Sequence, residues 1–162
     1  MHNYSAINSP EPSDILSNGL LFVSNLKGAE LYSDDYDLVL NCTKYTAFFS
    51  KREDQKRIRI PVDDNPDEAV DLIAILKDNY IIELIALMIE RNKKVLIHCL
   101  AGAQRSPAVA ACFLVARRGF TVEHAIQEVR NRRQAAFFLG FVTFQKTIDW
   151  SVEMRPKSTP AP

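Results

Sequence analysis

The segment HCLAGAQRS, residues 98–106, decides how the chain is expected to fold and which chemistry it can carry. The apolar run Val95-Leu96-Ile97 comes directly before it and predicts a short, buried strand. Pro107 comes directly after it, and proline is favoured in the first turn of a helix. The segment is therefore predicted to be a loop between the carboxyl end of a strand and the amino end of a helix, where α/β proteins bind ligands.

Short strands and helices are predicted on both sides of this loop. Apolar runs predict strands at 20–23, 37–42 and 57–62, followed by a helical region at 66–91 that is interrupted near 77–79. Two later helices are predicted, one up to Arg118 with Gly119 at its end and one from an N-cap at Thr121 to about residue 130. Phe141, Phe144 and Ile148 mark the apolar face of a final helix through about residue 154. This alternation predicts a single α/β domain with a central, mostly parallel sheet flanked by helices. Residues 1–13 and 155–162 are rich in proline and polar side chains and are predicted to be flexible tails, which leaves 14–154 as the domain.

Composition narrows the classes of partner. The 162 residues include 20 basic and 20 acidic side chains, so a net charge of zero gives no general attraction to nucleic acid or to a membrane surface. Three cysteines without close pairs are typical of a reducing compartment, so the cytoplasm is expected, with the nucleus as the alternative. Residues 81–89 are apolar on nearly every face, which predicts burial in the core; a homodimer surface is the alternative.

Residues 98–106 combine a nucleophile with groups that can hold an anion. Cys99 lies where backbone N–H groups and a helix amino end favour a thiolate, the reactive form of cysteine. Arg105 can bind two oxygens of a phosphoryl group at once, Ser106 can donate a hydrogen bond to the sulfur, and His98 is expected to orient the loop. The remaining predicted phosphate-binding residues, which act through the backbone, are Leu100, Ala101, Gly102, Ala103 and Gln104.

The sequence indicates neither a second reactive cysteine nor a metal site. Cys42 and Cys112 lack a comparable context and are predicted to be core residues. No cluster of His, Cys or Asp has metal-ligand spacing, so no metal or other cofactor is expected.

The pattern His98-Cys99-x5-Arg105-Ser106 resembles the signature loop of the cysteine-dependent protein phosphatases. The compact chain is similar to their dual-specificity branch over residues 14–154, including VLNCT at 39–43 and Gly140-Phe141. The resemblance implies a protein tyrosine phosphatase-like fold. It also implies hydrolysis of phosphotyrosine and of phosphoserine or phosphothreonine in proteins, through a cysteinyl-phosphate intermediate.

A general acid is implied by the same resemblance. The stretch Ile60-Pro61-Val62-Asp63-Asp64 is similar to the family's acid-bearing loop, which assigns this role to Asp64. Asp64 and Cys99 are 35 residues apart, slightly more than in relatives, so Asp63 and Asp67 remain alternatives.

One departure from the family lies near the end of the domain. Relatives often carry Pro-Asn where this chain has Phe137-Phe138, which predicts the loss of a polar contact to the signature loop. The phenylalanines at 137, 138, 141 and 144 are predicted to be core, with Phe137 or Phe138 at the pocket rim as the alternative.

The substrate is expected to be a phosphoprotein, because residues 100–104 lack the lysines found in relatives that bind several phosphates. Three alternatives remain open: an RNA 5′-phosphatase of the same superfamily, a non-catalytic phosphoprotein-binding module, and a sulfur-transfer enzyme that also uses a loop cysteine.

Overall fold

The computed structural model describes residues 8–157. Its five strands form one sheet: β1 (Ser13–Asp14), β2 (Leu21–Ser24), β3 (Leu38–Asn41), β4 (Lys56–Arg59) and β5 (Val95–His98). The strand order is β1-β2-β5-β3-β4, in which β1 is antiparallel to β2 and every other pair is parallel. All four residues of β5 are buried, as expected for a central parallel strand. The predicted α/β fold with a mostly parallel sheet is confirmed.

Within residues 8–157, six α-helices surround the sheet: α1 (Leu26–Tyr32), α2 (Ala69–Asp78), α3 (Ile81–Glu90), α4 (Arg105–Arg118), α5 (Val122–Arg132) and α6 (Gln145–Trp150). Helix α4 is buried continuously from Ser106 to Ala116 and packs against α3, α5 and α6. The helix that follows the signature loop is therefore at the centre of the domain, so its amino end is held rigidly.

Several predicted helix ends are confirmed. Helix α4 ends at Gly119, whose φ of +72° is the left-handed conformation that glycine adopts without strain. Thr121 caps α5 by accepting a hydrogen bond from the N–H of His124. The interruption predicted in the 66–91 region lies at Asn79 and Tyr80, between α2 and α3.

Helix α3 shows how the apolar run at 81–89 is used. Ile81, Ile82 and Ile85 are buried in the core, whereas Leu87 is 39% exposed. Burial is thus confirmed for the inward face of this helix, and a homodimer stays a prediction.

Two elements differ from the sequence-based prediction. Strand β4 ends at Arg59, although Ile60 and Val62 beyond it are buried. The last α-helix begins only at Gln145, because Phe141 has an extended backbone with φ −73° and ψ 130°, and Phe144 has the non-helical angles φ −104° and ψ 36°. The core prediction is wrong for Phe138 and Phe141, which are exposed before the helix, whereas Phe144 and Ile148 are buried as predicted.

Residues near both predicted domain boundaries contact the domain. Ser13, placed in the flexible tail by the sequence, pairs with Val23 in the sheet. At the other end, the Arg155 guanidinium donates hydrogen bonds to the carbonyls of Val115 and Phe120. The boundaries at 14 and 154 stay predictions, and the remaining parts of the predicted tails, 1–7 and 158–162, lie outside the described residues.

Candidate active site

The signature loop, residues 98–106, connects β5 to α4 as predicted. Cys99 follows the last residue of β5 and is only 2% exposed. Its Sγ lies 3.1 Å from Oγ of Ser106 in the first turn of α4, within hydrogen-bonding distance. The structure therefore brings together the predicted nucleophile and the hydroxyl predicted to stabilise it.

Gly102 lets the loop pass close to the sheet. Its φ is +65°, and a Cβ atom placed on it would lie 2.8 Å from the backbone oxygen of Ser24 and would also collide with the Arg133 guanidinium. Both the conformation and the space at this position therefore require glycine.

Arg133 is a functional residue that the sequence analysis missed. It lies just after α5 and is 5% exposed. Its Nε donates to the carbonyl of Gly102 at 2.8 Å, Nη2 donates to the carbonyl of Ala101 at 3.5 Å, and Nη1 donates to Oγ of Ser13 at 3.3 Å. Burial lowers the pKa of Arg133 from its ordinary value, and the charge of Cys99 acts in the opposite direction. Arg133 thus stabilises the signature loop by donating hydrogen bonds to backbone carbonyl groups of the loop that would otherwise have no partner.

Gln104 connects the signature loop to the segment before α6. Its Nε2 donates to the carbonyl of Phe141 at 2.8 Å, and its Oε1 accepts from the N–H of Thr143 at 3.0 Å. The N–H of Phe137 donates to the carbonyl of Ala103 at 2.8 Å. The predicted loss of a polar contact at Phe137-Phe138 is therefore offset. The Gln104 side chain and the Phe137 backbone connect the signature loop to this segment by hydrogen bonds.

The predicted acid-bearing loop lies beside Arg105. Arg105 Nη1 donates to the carbonyl of Val62 at 3.1 Å, which joins the two loops directly. Asp63 forms an ion pair with Lys44 at 3.0 Å, and the same ammonium lies 3.0 Å from Glu68. The Asp64 side chain is exposed and has no hydrogen bond or ion pair with any of residues 8–157.

Asp67, the other alternative for the acid, occupies the short 3₁₀-helix Pro66–Glu68 that leads into α2. Its backbone N–H donates to Oδ1 of Asn65 at 2.9 Å, so Asn65 caps this turn.

His98 is held in place by its backbone. Its carbonyl accepts from the N–H of Cys42 at 2.7 Å, whereas Nδ1 has no partner among the described residues. Burial, together with the charges of Arg59 and Arg105, lowers the pKa of His98 to about 4, although a hydrogen bond with the backbone of Cys99 acts in the opposite direction. The imidazole is therefore neutral at pH 7, and its orienting role stays a prediction.

The two other cysteines are core residues, as predicted. Cys42 and Cys112 are fully buried, and none of the three cysteines forms a disulfide. Burial raises the pKa of Cys42 and raises that of Cys112 to about 12, so both are thiols at neutral pH.

The described residues show neither a metal-binding cluster nor a helix that could span a membrane. Residues 8–157 contain no group of three or more His, Cys, Asp or Glu side chains placed to hold a metal ion. Across the same residues, every helix is too short or too polar to cross a membrane.

A loop cysteine at the end of a central parallel strand, with its sulfur beside the first turn of the next helix, is the arrangement expected of a cysteine-dependent phosphatase. The family model for the dual specificity phosphatase catalytic domain matches residues 22–147, and the chain belongs to this family. It is thus a protein phosphatase of the dual-specificity type.

Individual phosphatases are similar to this chain in sequence or in fold. "Putative tyrosine phosphatase 123R" of Invertebrate iridescent virus 6 is 28% identical over 128 residues, which cover 78% of this chain and 83% of the viral protein. "Tyrosine-protein phosphatase yvh1" of Schizosaccharomyces pombe is 30% identical over 125 residues, which cover 75% of this chain but only 36% of the yeast protein. The crystal structure of human DUSP28 has the same fold, with a TM-score of 0.71, 22% identity and coverage of 88% of this chain and 95% of DUSP28.

Proposed function

We propose that this protein hydrolyses phosphotyrosine and phosphoserine or phosphothreonine in proteins through a cysteinyl-phosphate on Cys99. The single observation that supports this most directly is the 3.1 Å contact between Cys99 Sγ and Ser106 Oγ inside the loop at the amino end of α4. The amide groups and helix dipole at this point favour a negative sulfur and a bound phosphate dianion together.

In the first step, the Cys99 thiolate attacks phosphorus, so that an S–P bond forms while the P–O bond to the substrate breaks. The backbone amides of residues 100–104 and the Arg105 guanidinium bind the phosphoryl oxygens, over which charge is spread in the transition state. Because Arg105 uses Nη1 for Val62, its Nη2 and Nε hydrogens stay available for two of these oxygens. Asp64 donates its proton to the departing alkoxide or phenoxide oxygen.

In the second step, the Asp64 carboxylate removes a proton from water while the water oxygen attacks phosphorus. The S–P bond breaks, inorganic phosphate forms, and the electron pair returns to Cys99 sulfur. The Ser106 hydroxyl stabilises the departing thiolate with its hydrogen bond. Asp64 is then protonated again, so both groups are ready for another turnover.

The contacts in the acid-bearing loop support Asp64 over its neighbours. Asp63 is engaged by Lys44, and Asp67 belongs to the 3₁₀-helix that leads into α2. Asp64 lies just beyond Val62, whose carbonyl contacts Arg105, and its carboxyl has no hydrogen bond or ion pair within residues 8–157.

The electrostatics of the loop support a protein substrate with a single phosphate. Residues 100–104 are uncharged, so the loop offers no ammonium or guanidinium to a second phosphate other than Arg105. Arg133 is buried and its hydrogen bonds go to Gly102, Ala101 and Ser13, so it stabilises the loop from the opposite side.

The test compares the wild-type protein with Cys99→Ser and with Cys112→Ala as a matched control. Substrates are a phosphotyrosine peptide, a phosphothreonine peptide, an RNA with a 5′-triphosphate and para-nitrophenyl phosphate. We expect the wild type and Cys112→Ala to hydrolyse both peptides and to be inhibited by vanadate, whereas Cys99→Ser is inactive. Peptide binding without turnover by the wild type indicates a binding module, and turnover of RNA alone indicates the RNA phosphatase; either result refutes the proposal.

A further inference from the structure

Apolar side chains are exposed immediately beside the signature loop. Leu139 and Phe141 are each 68% exposed and Phe138 is partly exposed, and these three residues are called the apolar rim below. Exposed apolar side chains are ordinary when they are scattered, but three within four positions next to a binding site form a patch that a ligand can cover.

The apolar rim is fixed to the loop that binds phosphate. The backbone N–H of Phe137 donates to the carbonyl of Ala103, and the Gln104 side chain donates to the carbonyl of Phe141, both at 2.8 Å. Phe137 itself is fully buried and anchors the segment in the core. The rim therefore has a defined position relative to the loop, at the side of residues 103 and 104.

The backbone is strained at Leu139 of the apolar rim and at Phe137, which comes directly before the rim. Phe137 and Leu139 have φ angles of 53° and 58°, a conformation that side chains other than those of Gly, Asn and Asp rarely adopt. Such strain persists only where surrounding contacts impose it, and it occurs preferentially at functional sites. At Phe137, the hydrogen bond from its N–H to the carbonyl of Ala103 fixes the backbone next to the signature loop.

We propose that the apolar rim binds an apolar side chain of the substrate within two positions of the phosphorylated residue. This inference rests on the proposed function, because that function places a phosphorylated peptide over the signature loop. Each peptide residue extends about 3.3 Å, so the neighbours of a phosphoresidue held in the loop lie within reach of its edge. The loop contributes a further exposed apolar side chain, Leu100, and residues 137–141 carry no charge. The substrate class is therefore a phosphoprotein with leucine-like residues beside the phosphate, rather than one with charged residues there.

The test uses pairs of phosphotyrosine peptides that differ only in carrying leucine or serine at each of the two positions on either side of the phosphoresidue. For the wild-type protein, we expect the kcat/KM of the leucine peptide to be about fivefold higher than that of the serine peptide in at least one pair. The factor is modest because an open rim buries only part of the leucine side chain. The difference is expected in KM rather than in kcat, because the rim binds the substrate and the transition state equally.

Leu139→Asn and Phe141→Gln are the test variants, and Leu87→Gln on α3 is the control at an exposed leucine elsewhere. Asparagine tolerates the left-handed backbone at position 139, so the first variant changes polarity without adding strain. We expect both test variants to reduce the leucine-to-serine ratio to about one, while Leu87→Gln keeps the wild-type ratio. The serine peptide serves as the internal reference for each variant.

Three results overturn the inference while leaving the proposed function intact. The first is equal kcat/KM of the wild type for the leucine and serine peptides. The second is a preference for leucine peptides that is unchanged in both test variants. The third is that the apolar rim forms a contact between two copies of the chain. The last is detected by light scattering, as a dimer of the wild type that Leu139→Asn dissociates. Failure of the proposed function is distinguishable, because then the wild type hydrolyses none of the peptides.

Discussion

Replacing Gly102 with alanine separates the catalytic role of the signature loop from ordinary backbone strain. Gly102 and Gly119 have similar φ angles of +65° and +72°, so alanine at either position costs about 1–2 kcal/mol of backbone energy. A new Cβ at Gly119 meets nothing within 4 Å, whereas at Gly102 it meets the Ser24 oxygen at 2.8 Å and the Arg133 guanidinium. Gly119→Ala is thus the matched control.

The extra contact at Gly102 must displace the loop. Overpacking of this kind costs a further ~1–3 kcal/mol, which urea unfolding measures as the difference between the two variants. A displacement of about 1 Å in groups that position a substrate reduces activity about 100-fold. We expect this loss in kcat/KM for Gly102→Ala and less than a threefold change for Gly119→Ala. Equal stability and equal activity of the two variants would refute the account of how the loop is packed.

The other predictions concern the chemical roles. Arg105→Lys keeps the charge but loses the two-point contact with phosphate, so we expect kcat/KM to fall by about 100-fold with an unchanged circular dichroism spectrum; near-normal turnover contradicts the assigned role. Asp64→Asn is expected to slow a phosphoserine peptide far more than an aryl phosphate with a good leaving group, while Asp63→Asn affects both little; the reverse pattern moves the acid to Asp63. Dilute hydrogen peroxide is expected to abolish activity reversibly by oxidising Cys99, with thiols restoring it and peptide mapping finding Cys112 unmodified; oxidation that maps first to Cys112 contradicts a selectively activated Cys99.

The loop and its neighbours were predictable because their signals are local. An apolar run, a glycine and a proline in the first helical turn fix β5, the signature loop and α4 within about two dozen consecutive residues. The cap of α5 at Thr121 and the end of α4 at Gly119 follow from the same kind of short-range chemistry.

The missed features depend on contacts between distant residues. Strand β1 has only two residues, Ser13 and Asp14, and exists because β2 offers an edge for pairing. Arg133 is buried because the carbonyls of the signature loop, about thirty residues earlier, need a donor. A loop whose backbone N–H groups point towards the phosphate must point its carbonyl groups away from it, so these carbonyls are predictable. The sequence near the loop does not show which distant side chain donates hydrogen bonds to them. Helix α1 is a different case, since its N-cap Asn25, which accepts from the N–H of Gly28 at 2.8 Å, is a signal that could have been recognised.

The most direct test of the mechanism is to detect the covalent intermediate on Cys99. Asp64→Asn is mixed with para-nitrophenyl phosphate, denatured within milliseconds by detergent and analysed by peptide mass spectrometry, with Cys99→Ser as the control. Because loss of Asp64 slows hydrolysis more than formation with this leaving group, we predict a phosphoryl group on Cys99 in a near-stoichiometric fraction of the protein and none in the control. Steady turnover without an adduct on Cys99, or an adduct on any other residue, would contradict the account.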